Sequence, residues 1–351
     1  MPGSGGRAMK GNPVAFEGRR LAPYPLPSAP ARLLGAFLAL LLGCLMAAVF
    51  PTPARCRTPA PPVAVAASII PLGDFCRQIG GDRVAVQVLT PPGASPHVFE
   101  PPPSVVARAM AARVLVCVGA GLDPWAERLR TSRGTQDLVV VEAAAGVPLI
   151  QEVHSEDHDH GPGHRHEKKK ESPGKGHGHI HAQGNPHVWL DPVLVQDLCR
   201  RIAQAFIQVD PEHRSVYEAN LSRYLAELEA LHQEIAGRTA AFRLKAYVSF
   251  HPAFAYFARR YGLQEVGVIE SAPGREPTPR HIQRLVAAIR RHQVRVVFAE
   301  PQLSHRVAEA IAREAGVRVL VLDPLGGFPP YGEDYLKLMR HNLTVMAEAM
   351  Q

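Results

Sequence analysis

Residues 63–89 read VAVAASIIPLGDFCRQIGGDRVAVQVL, and their apolar pattern indicates the class of fold. VAVAASII (63–70) predicts a strand, LGDFCRQIGG predicts a helix that ends at Gly80–Gly81, and VAVQVL (84–89) predicts a second strand. The strand segments are continuously apolar instead of alternating, which is typical of parallel strands buried on both faces. The stretch therefore predicts a strand, helix and strand unit of an α/β protein.

The same alternation continues to residue 143 and returns near residue 246. In the first half, RVLVCVGAG (113–121) and DLVVVEA (137–143) predict two further strands on either side of the helix DPWAERLR. In the second half the predicted strands are 246–250, 264–269, 294–299 and 317–322, and the predicted helices are 253–261, 278–291, 303–315 and 333–350. The sequence thus predicts two similar α/β lobes, each with a mostly parallel sheet.

A long helical segment separates the two lobes. After a helix from Pro192 to Val209, Asp210 and Pro211 have the residue types of an N-cap and a first helical position. The apolar face that follows predicts a rigid helix of about 27 residues, on the order of 40 Å long. We therefore expect four regions: 1–62, an export signal or membrane anchor with a Pro-rich linker; 63–209, an N-terminal lobe; 210–238, the linking helix; and 239–351, a C-terminal lobe.

The first 60 residues differ in charge from the rest of the chain. They hold seven Lys or Arg residues and one acid, so they carry six units of the net charge of +7. A basic surface for nucleic acid is therefore not expected on the folded part. Leu33 to Phe50 are 18 residues without a charge that follow a basic stretch, which is the layout of an export signal.

Export predicts a periplasmic or extracytoplasmic protein, and three fates of the leader stay open. In the first, the leader is cleaved. In the second, residues 33–50 remain as a membrane anchor, because 18 apolar residues are close to the lower limit of a membrane span. Alternatively Cys44 carries a lipid, because LLGC resembles a lipoprotein box, although the apolar run continues past it. Membrane association is expected only through this segment. The five cysteines have no CxxC spacing and predict no metal site, and Cys117 and Cys199 are expected to be small buried thiols.

A histidine-rich segment at 154–181 separates the fourth predicted strand from the helix at Pro192. It holds 8 of the 17 histidines, several glycines and one large aliphatic residue, Ile180, so it cannot form a core and we expect it to be disordered. Imidazole is a ligand for Zn, Cu, Ni or Fe, and such a tract suggests an auxiliary metal collector. Its histidines are His154, His158, His160, His164, His166, His177, His179 and His181.

Four residues that follow predicted strands are candidate ligands of a main metal site. In open α/β sheets, ligands bind beyond the carboxyl ends of the strands. His97 lies in the turn after the second strand, His187 closes the connection after the fourth, and His251 directly follows the fifth. Asp323 follows the last strand, with Glu300 as its rival. Three imidazoles and one carboxylate suit tetrahedral Zn²⁺, so we expect a zinc site in the cleft between the lobes. As an alternative, Asp323 before a proline is a turn residue.

At these positions the sequence resembles the metal-binding receptors of bacterial ABC transporters for zinc and manganese, and the zinc-specific branch is the better match. The matching stretches run in family order from Val63 to the C-terminus. They are LTPPGASPHVFEPPPS around His97, NPHVWLDP around His187, SFHPAFAYFARRYGL around His251, FAEPQLS around Glu300, and VLVLDPLGG around Asp323. Each stretch alone is weak, whereas their combination is specific.

The resemblance implies a two-lobed fold on a rigid helix, a metal ion bound between the lobes, and delivery of that ion to an ABC permease with a separate ATPase subunit. It implies that His97, His187 and His251 are ligands and that Asp323 occupies the customary fourth position. Manganese-type relatives place a carboxylate where this chain has His251, and nitrogen ligands favour Zn²⁺. The acid that could stand beside His97 is replaced by Pro96, so the fourth ligand is Asp323 or water.

We therefore expect a monomeric zinc-binding receptor that captures Zn(II) outside the cytoplasmic membrane and passes it to the permease. Three alternatives stay open. A manganese-type receptor of the same family would prefer Mn²⁺, and a zinc storage or buffering protein would rely on the histidine-rich segment. A metallohydrolase would need an open metal position and a general base, and the sequence contains no HExxH pairing, so we predict no enzymatic activity.

Overall fold

The computed structural model describes residues 61–131, 137–151, 184–270 and 276–351, together with the single residue Pro23. The apolar leader at 33–50, Cys44 and the histidine-rich segment at 154–181 lie outside these residues, so what the sequence predicts for them stays a prediction. Within the described residues, no helix combines the length and the apolar character that crossing a membrane requires.

The first lobe is a four-stranded sheet in the order β2-β1-β3-β4, with every neighbouring pair parallel. Its strands are β1 (Val63–Ala67), β2 (Val84–Val88), β3 (Val114–Cys117) and β4 (Val139–Glu142), and its helices are α1 (Ile70–Gly80), α2 (Pro103–Met110) and α3 (Pro124–Thr131). All four residues of β3 are buried, because helices cover both faces of the sheet. This explains why the strand sequences are continuously apolar.

The second lobe repeats this arrangement, with four parallel strands in the order β6-β5-β7-β8. Its strands are β5 (Ala246–Ser249), β6 (Gln264–Val268), β7 (Val296–Ala299) and β8 (Arg318–Val321), and its helices are α6 (Ala255–Tyr261), α7 (Pro279–Arg291), α8 (Arg306–Ala315) and α9 (Tyr335–Met350). The predicted fold of two α/β lobes with parallel sheets is therefore confirmed. The exact limits of the predicted regions stay a prediction.

Two helices connect the sheets, α4 (Pro192–Val209) and α5 (Arg214–Ala240). The long helix has 27 residues, as expected, but it begins at Arg214 and not beside Asp210. Pro211–His213 form a separate 3₁₀ turn, because the Asp210 carboxylate accepts hydrogen bonds from His213 Nδ1 (2.8 Å) and Tyr217 Oη (2.7 Å) and caps no helix. The buried face of α5 packs against α1, α4 and α9.

Residues from both lobes share one hydrophobic core. Phe75 of α1 contacts Tyr335 of α9 edge to face, with the ring centroids 4.8 Å apart. The backbone N of Tyr335 donates to Asp74 Oδ2 (2.9 Å), and its Oη donates to the carbonyl of Trp189 (2.8 Å). These contacts tie the start of α9 to α1 and to the segment that precedes α4, so the two walls of the cleft belong to one packed body.

We predict that Tyr335→Phe lowers the free energy of unfolding by about 1–2 kcal/mol, because the buried Trp189 carbonyl loses a hydrogen bond. Tyr224→Phe is the matched control. Tyr224 is equally buried, and its Oη has no hydrogen-bond partner among the described residues, so its removal is expected to cost nothing. Urea unfolding of the two variants checks this difference. Equal stabilities of the two variants would contradict the role given to the Tyr335 hydroxyl.

Candidate metal site

Three histidine side chains converge in the cleft between the sheets. His97 Nε2 lies 3.0 Å from His187 Nε2, which in turn lies 3.1 Å from His251 Nε2. The edge of a tetrahedron with Zn–N bonds of 2.0–2.1 Å is about 3.3 Å, so these separations are close to those of bound ligands. Within the described ranges, these three residues form the group of His, Cys, Asp and Glu that could hold a metal ion, with all ligand atoms within 4.8 Å of one another.

The position of His187 is fixed by Asn185. Asn185 Oδ1 accepts from the backbone N of His187 (3.0 Å), which is an Asx turn, and it also contacts His187 Nδ1 (2.9 Å). Asn185 Nδ2 donates to the carbonyl of Pro252 (2.7 Å), so the amide oxygen is the atom that faces the imidazole. Both side chains are buried, with exposures of 0% for Asn185 and 2% for His187. His187 Nδ1 is therefore the protonated nitrogen, and Nε2 carries the lone pair.

His251 is oriented in the same way by Glu300. The two residues directly follow β5 and β7, which are neighbours in the second sheet, so their side chains emerge at the same carboxyl edge. His251 Nδ1 contacts Glu300 Oε1 in a buried pair, and Glu300 is 3% exposed. A carboxylate that accepts from Nδ1–H leaves Nε2 as the metal-binding nitrogen. Glu300 therefore lies behind His251 and outside the group of ligand atoms.

The proton arrangement of this cluster would suit a cation. With Nδ1 of His187 and His251 donating to Asn185 and Glu300, the two Nε2 atoms face each other at 3.1 Å with their lone pairs. Such lone pairs repel each other unless a proton or a metal ion lies between them. Neutral imidazole nitrogens suit borderline divalent cations such as Zn²⁺, so the cluster could hold such an ion.

Asp323 does not join the three histidines. Its Oδ1 accepts from the backbone N of Leu325 (2.9 Å) and Gly326 (3.0 Å) and from Gln302 Nε2 (2.9 Å), and its Oδ2 accepts from Tyr331 Oη (2.7 Å). Burial, together with this last hydrogen bond, raises the pKa of Tyr331 well above its usual range, so the hydroxyl stays a donor. Asp323 thus makes the hydrogen bonds of a turn residue. This is the alternative that the sequence indicates for it.

The rest of the cleft is largely apolar. Its lining includes Pro96, Trp189, Leu303, Pro324 and Leu325 beside Glu270 and Gln302. The three cysteines that the structure describes, Cys76, Cys117 and Cys199, are buried and lie outside this group, and burial raises the pKa of Cys76 and Cys199, so neither offers a thiolate.

Three residues that shape the site were missed by sequence reasoning. Asn185 could have been found, because Asn-Pro-His is the signature of an Asx turn that would orient the histidine two positions on. Trp189, whose Nε1 donates to the carbonyl of Pro324 (2.8 Å), and Gln302 depend on contacts between distant parts of the chain. Local sequence patterns contain no signal for such contacts.

Known proteins are similar to this chain in sequence and in fold. A curated relative, the high-affinity zinc uptake system protein ZnuA of Bacillus subtilis, is 31% identical over 290 residues, which are 82% of this chain and 87% of the relative. The zinc-binding lipoprotein AdcA of Streptococcus pneumoniae is 26% identical over 81% of this chain, which spans only 55% of that longer protein.

Solved structures agree with these relatives. A crystal structure of ZnuA superimposes with a TM-score of 0.68 at 31% identity, covering 82% of this chain and 99% of that one. A Zn(II)-bound variant of AdcAII from Streptococcus pneumoniae gives a TM-score of 0.70 at 25% identity, covering 84% of this chain and 100% of that one. The family model described as zinc-uptake complex component A, periplasmic, matches residues 65–349. On this match and on the similarity to ZnuA, the chain belongs to the ZnuA family of zinc-uptake proteins.

Proposed function

We propose that this protein binds one Zn²⁺ tightly in the cleft through His97, His187 and His251 and delivers it to a membrane permease. The observation that carries the proposal is the convergence of three imidazoles: His187 Nε2 lies 3.0 Å from His97 Nε2 and 3.1 Å from His251 Nε2, close to one tetrahedral edge, and ligand atoms of all three lie within 4.8 Å of one another. The similarity to proteins named for high-affinity zinc uptake supports zinc as the transported ion. The metal is the cargo of this site and has no catalytic role.

The ligand atoms favour Zn²⁺ over Mn²⁺. Three neutral imidazole nitrogens suit zinc, whereas manganese prefers carboxylate and carbonyl oxygens. The two carboxylates considered as a fourth ligand are both engaged: Glu300 contacts His251, and Asp323 accepts four hydrogen bonds from the protein. A manganese-type receptor is therefore the less favoured alternative.

The partners that we propose for this protein are those expected for its family. A zinc-uptake component described as periplasmic works outside the cytoplasmic membrane, and an ABC permease with its ATPase subunit is the partner we propose. The leader at 33–50 would carry the chain across the membrane, with or without anchoring or a lipid on Cys44. We propose a monomeric receptor without enzymatic activity.

Replacing a ligand tests the central assignment. His187→Ala or His251→Ala is expected to weaken zinc binding at least about 100-fold, more than the loss typical for an outer partner of a ligand. His292→Ala is the control, since His292 lies exposed at the end of α7 and outside the cluster. Competition titration against a chelator of known zinc affinity gives the numbers, and the same assay with Mn²⁺ measures the preference. Unchanged zinc affinity in both ligand variants, or tighter binding of Mn²⁺, would refute the proposal.

Asn185→Ala is expected to lower zinc affinity about 10-fold to 100-fold although Asn185 touches no ion, because His187 loses the acceptor that fixes its ring and its tautomer. Asn220→Ala is the matched control: its Nδ2 donates to the carbonyl of Ile79, which does not line the cleft. Both variants are compared by the same chelator competition. Equal affinity of the two variants would show that Asn185 does not orient the ligand.

The histidine-rich segment at 154–181 is proposed to be a weaker, dispensable collector. Its glycine-rich composition predicts a segment without a fixed structure, so binding there is expected to cost ordering entropy that a preformed cleft does not require. It ends six residues before His187, which keeps any ion it holds at a raised local concentration near the cleft. A deletion mutant of ZnuA has been solved with zinc bound, which agrees with a site that survives deletion in a relative.

Deleting residues 154–181 is expected to lower the total zinc bound per chain and to leave one tight site. Isothermal titration of the deleted and the full chain measures both quantities. Loss of the tight site in the deleted chain would mean that the segment supplies a ligand of the main site. An unchanged total would mean that the segment collects no zinc.

A further inference from the structure

The side-chain oxygen of Gln302 has no hydrogen-bond donor among the described residues. Gln302 lines the cleft together with the three histidines, and its Nε2 donates to Asp323 Oδ1 at 2.9 Å. Its Oε1 is buried and accepts no hydrogen bond from the part of the chain that the structure describes. A buried carbonyl oxygen left without a donor costs about 1–3 kcal/mol, so such an atom calls for a specific partner.

Asp323 determines which way the Gln302 amide points. An ionised carboxylate only accepts hydrogen bonds, so the amide NH₂ has to face Asp323 and the oxygen has to face away from it. Asp323 cannot turn toward the cleft, because the backbone N atoms of Leu325 and Gly326 and the Tyr331 hydroxyl hold both of its oxygens. Asp323 does not line the cleft whereas Gln302 does, which leaves Oε1 as the amide atom available to the contents of the cleft.

The donor that the cleft can supply is a water bound to the metal. Three imidazoles fill three of the four positions of a tetrahedral zinc ion, and a site with three protein ligands takes a water in the fourth. A zinc-bound water uses its lone pair on the metal and is left with two O–H groups that need acceptors. An orphaned amide oxygen on the wall of the same cleft matches that need.

We propose that Gln302 Oε1 accepts a hydrogen bond from the water that completes the coordination of Zn²⁺, and that Asp323 is a positioning residue for Gln302 and not a metal ligand. This inference rests on the proposed zinc-binding function of the three histidines. Because Gln302 is neutral and contacts only the water, the fourth ligand of the zinc ion is an exchangeable water and not a carboxylate. The ion is then open to substitution by a ligand of the permease at that position.

The first test compares zinc affinities by chelator competition. Gln302→Ala is expected to weaken zinc binding about tenfold, which is the equivalent of about 1.4 kcal/mol. Gln283→Ala, the same change at an exposed position on α7, is expected to have no effect. Equal affinities of the Gln302→Ala and Gln283→Ala variants would overturn the role of Gln302.

The second test separates a positioning residue from a ligand. Asp323→Asn keeps an oxygen that accepts from Gln302 Nε2, so it is expected to retain wild-type affinity. Asp323→Ala is expected to fall to the level of Gln302→Ala, and the double variant to fall no further. If Asp323 were a ligand, Asp323→Asn would lose as much affinity as Asp323→Ala, and that result would overturn the proposal.

A crystal structure of the zinc-loaded wild-type chain provides a readout that does not depend on the folding of any variant. It is expected to show a water on the zinc ion within hydrogen-bond distance of Gln302 Oε1. A fourth ligand from Asp323, or a zinc-bound water that does not contact Gln302, would refute the inference while the zinc receptor stands. A wild-type chain that binds no zinc tightly would instead refute the proposed function.

Discussion

The arrangement of the three histidines depends on the side chain of Asn185. Its oxygen holds both the backbone and the imidazole of His187, and its nitrogen holds the carbonyl of Pro252, the residue that follows His251. The amide cannot rotate without breaking hydrogen bonds at both ends, and at 0% exposure no water would replace them. One side chain therefore sets the separation between ligands that lie 64 residues apart in the sequence.

The second lobe, more than the first sheet, holds the segment that carries His187. Trp189 Nε1 donates to the carbonyl of Pro324, Tyr256 Oη donates to the carbonyl of Asn185, and Arg260 pairs with the buried Asp191 at 2.8 Å. The hydrogen bond to Asp191 also raises the pKa of Arg260, so the guanidinium keeps its charge in this pair. The long connection after β4 thus ends in a segment that side chains and a backbone carbonyl of the second lobe hold in place.

Sequence patterns predicted the fold well because parallel strands that are buried on both faces have continuously apolar sequences. Helix starts were less certain: α9 begins at Tyr335 because Asp334 accepts from the backbone N of Lys337 (2.9 Å), a cap that periodicity alone does not locate. The rule that ligands collect at the carboxyl ends of strands selected the three histidines that the structure brings together. That rule also selected Asp323, but it does not predict the direction of a side chain. The Asp323 carboxylate accepts four hydrogen bonds, two from backbone N–H groups and two from the side chains of Gln302 and Tyr331.

The coordination of zinc in solution tests the account most directly. X-ray absorption at the zinc K-edge of the full chain, loaded with one equivalent of Zn²⁺, reports the number and type of its nearest atoms. The account predicts three imidazole nitrogens at 2.0–2.1 Å and one oxygen. A shell made mainly of oxygen, a shell that contains sulfur, or a shell of four or more imidazoles would contradict a tight site built from His97, His187 and His251.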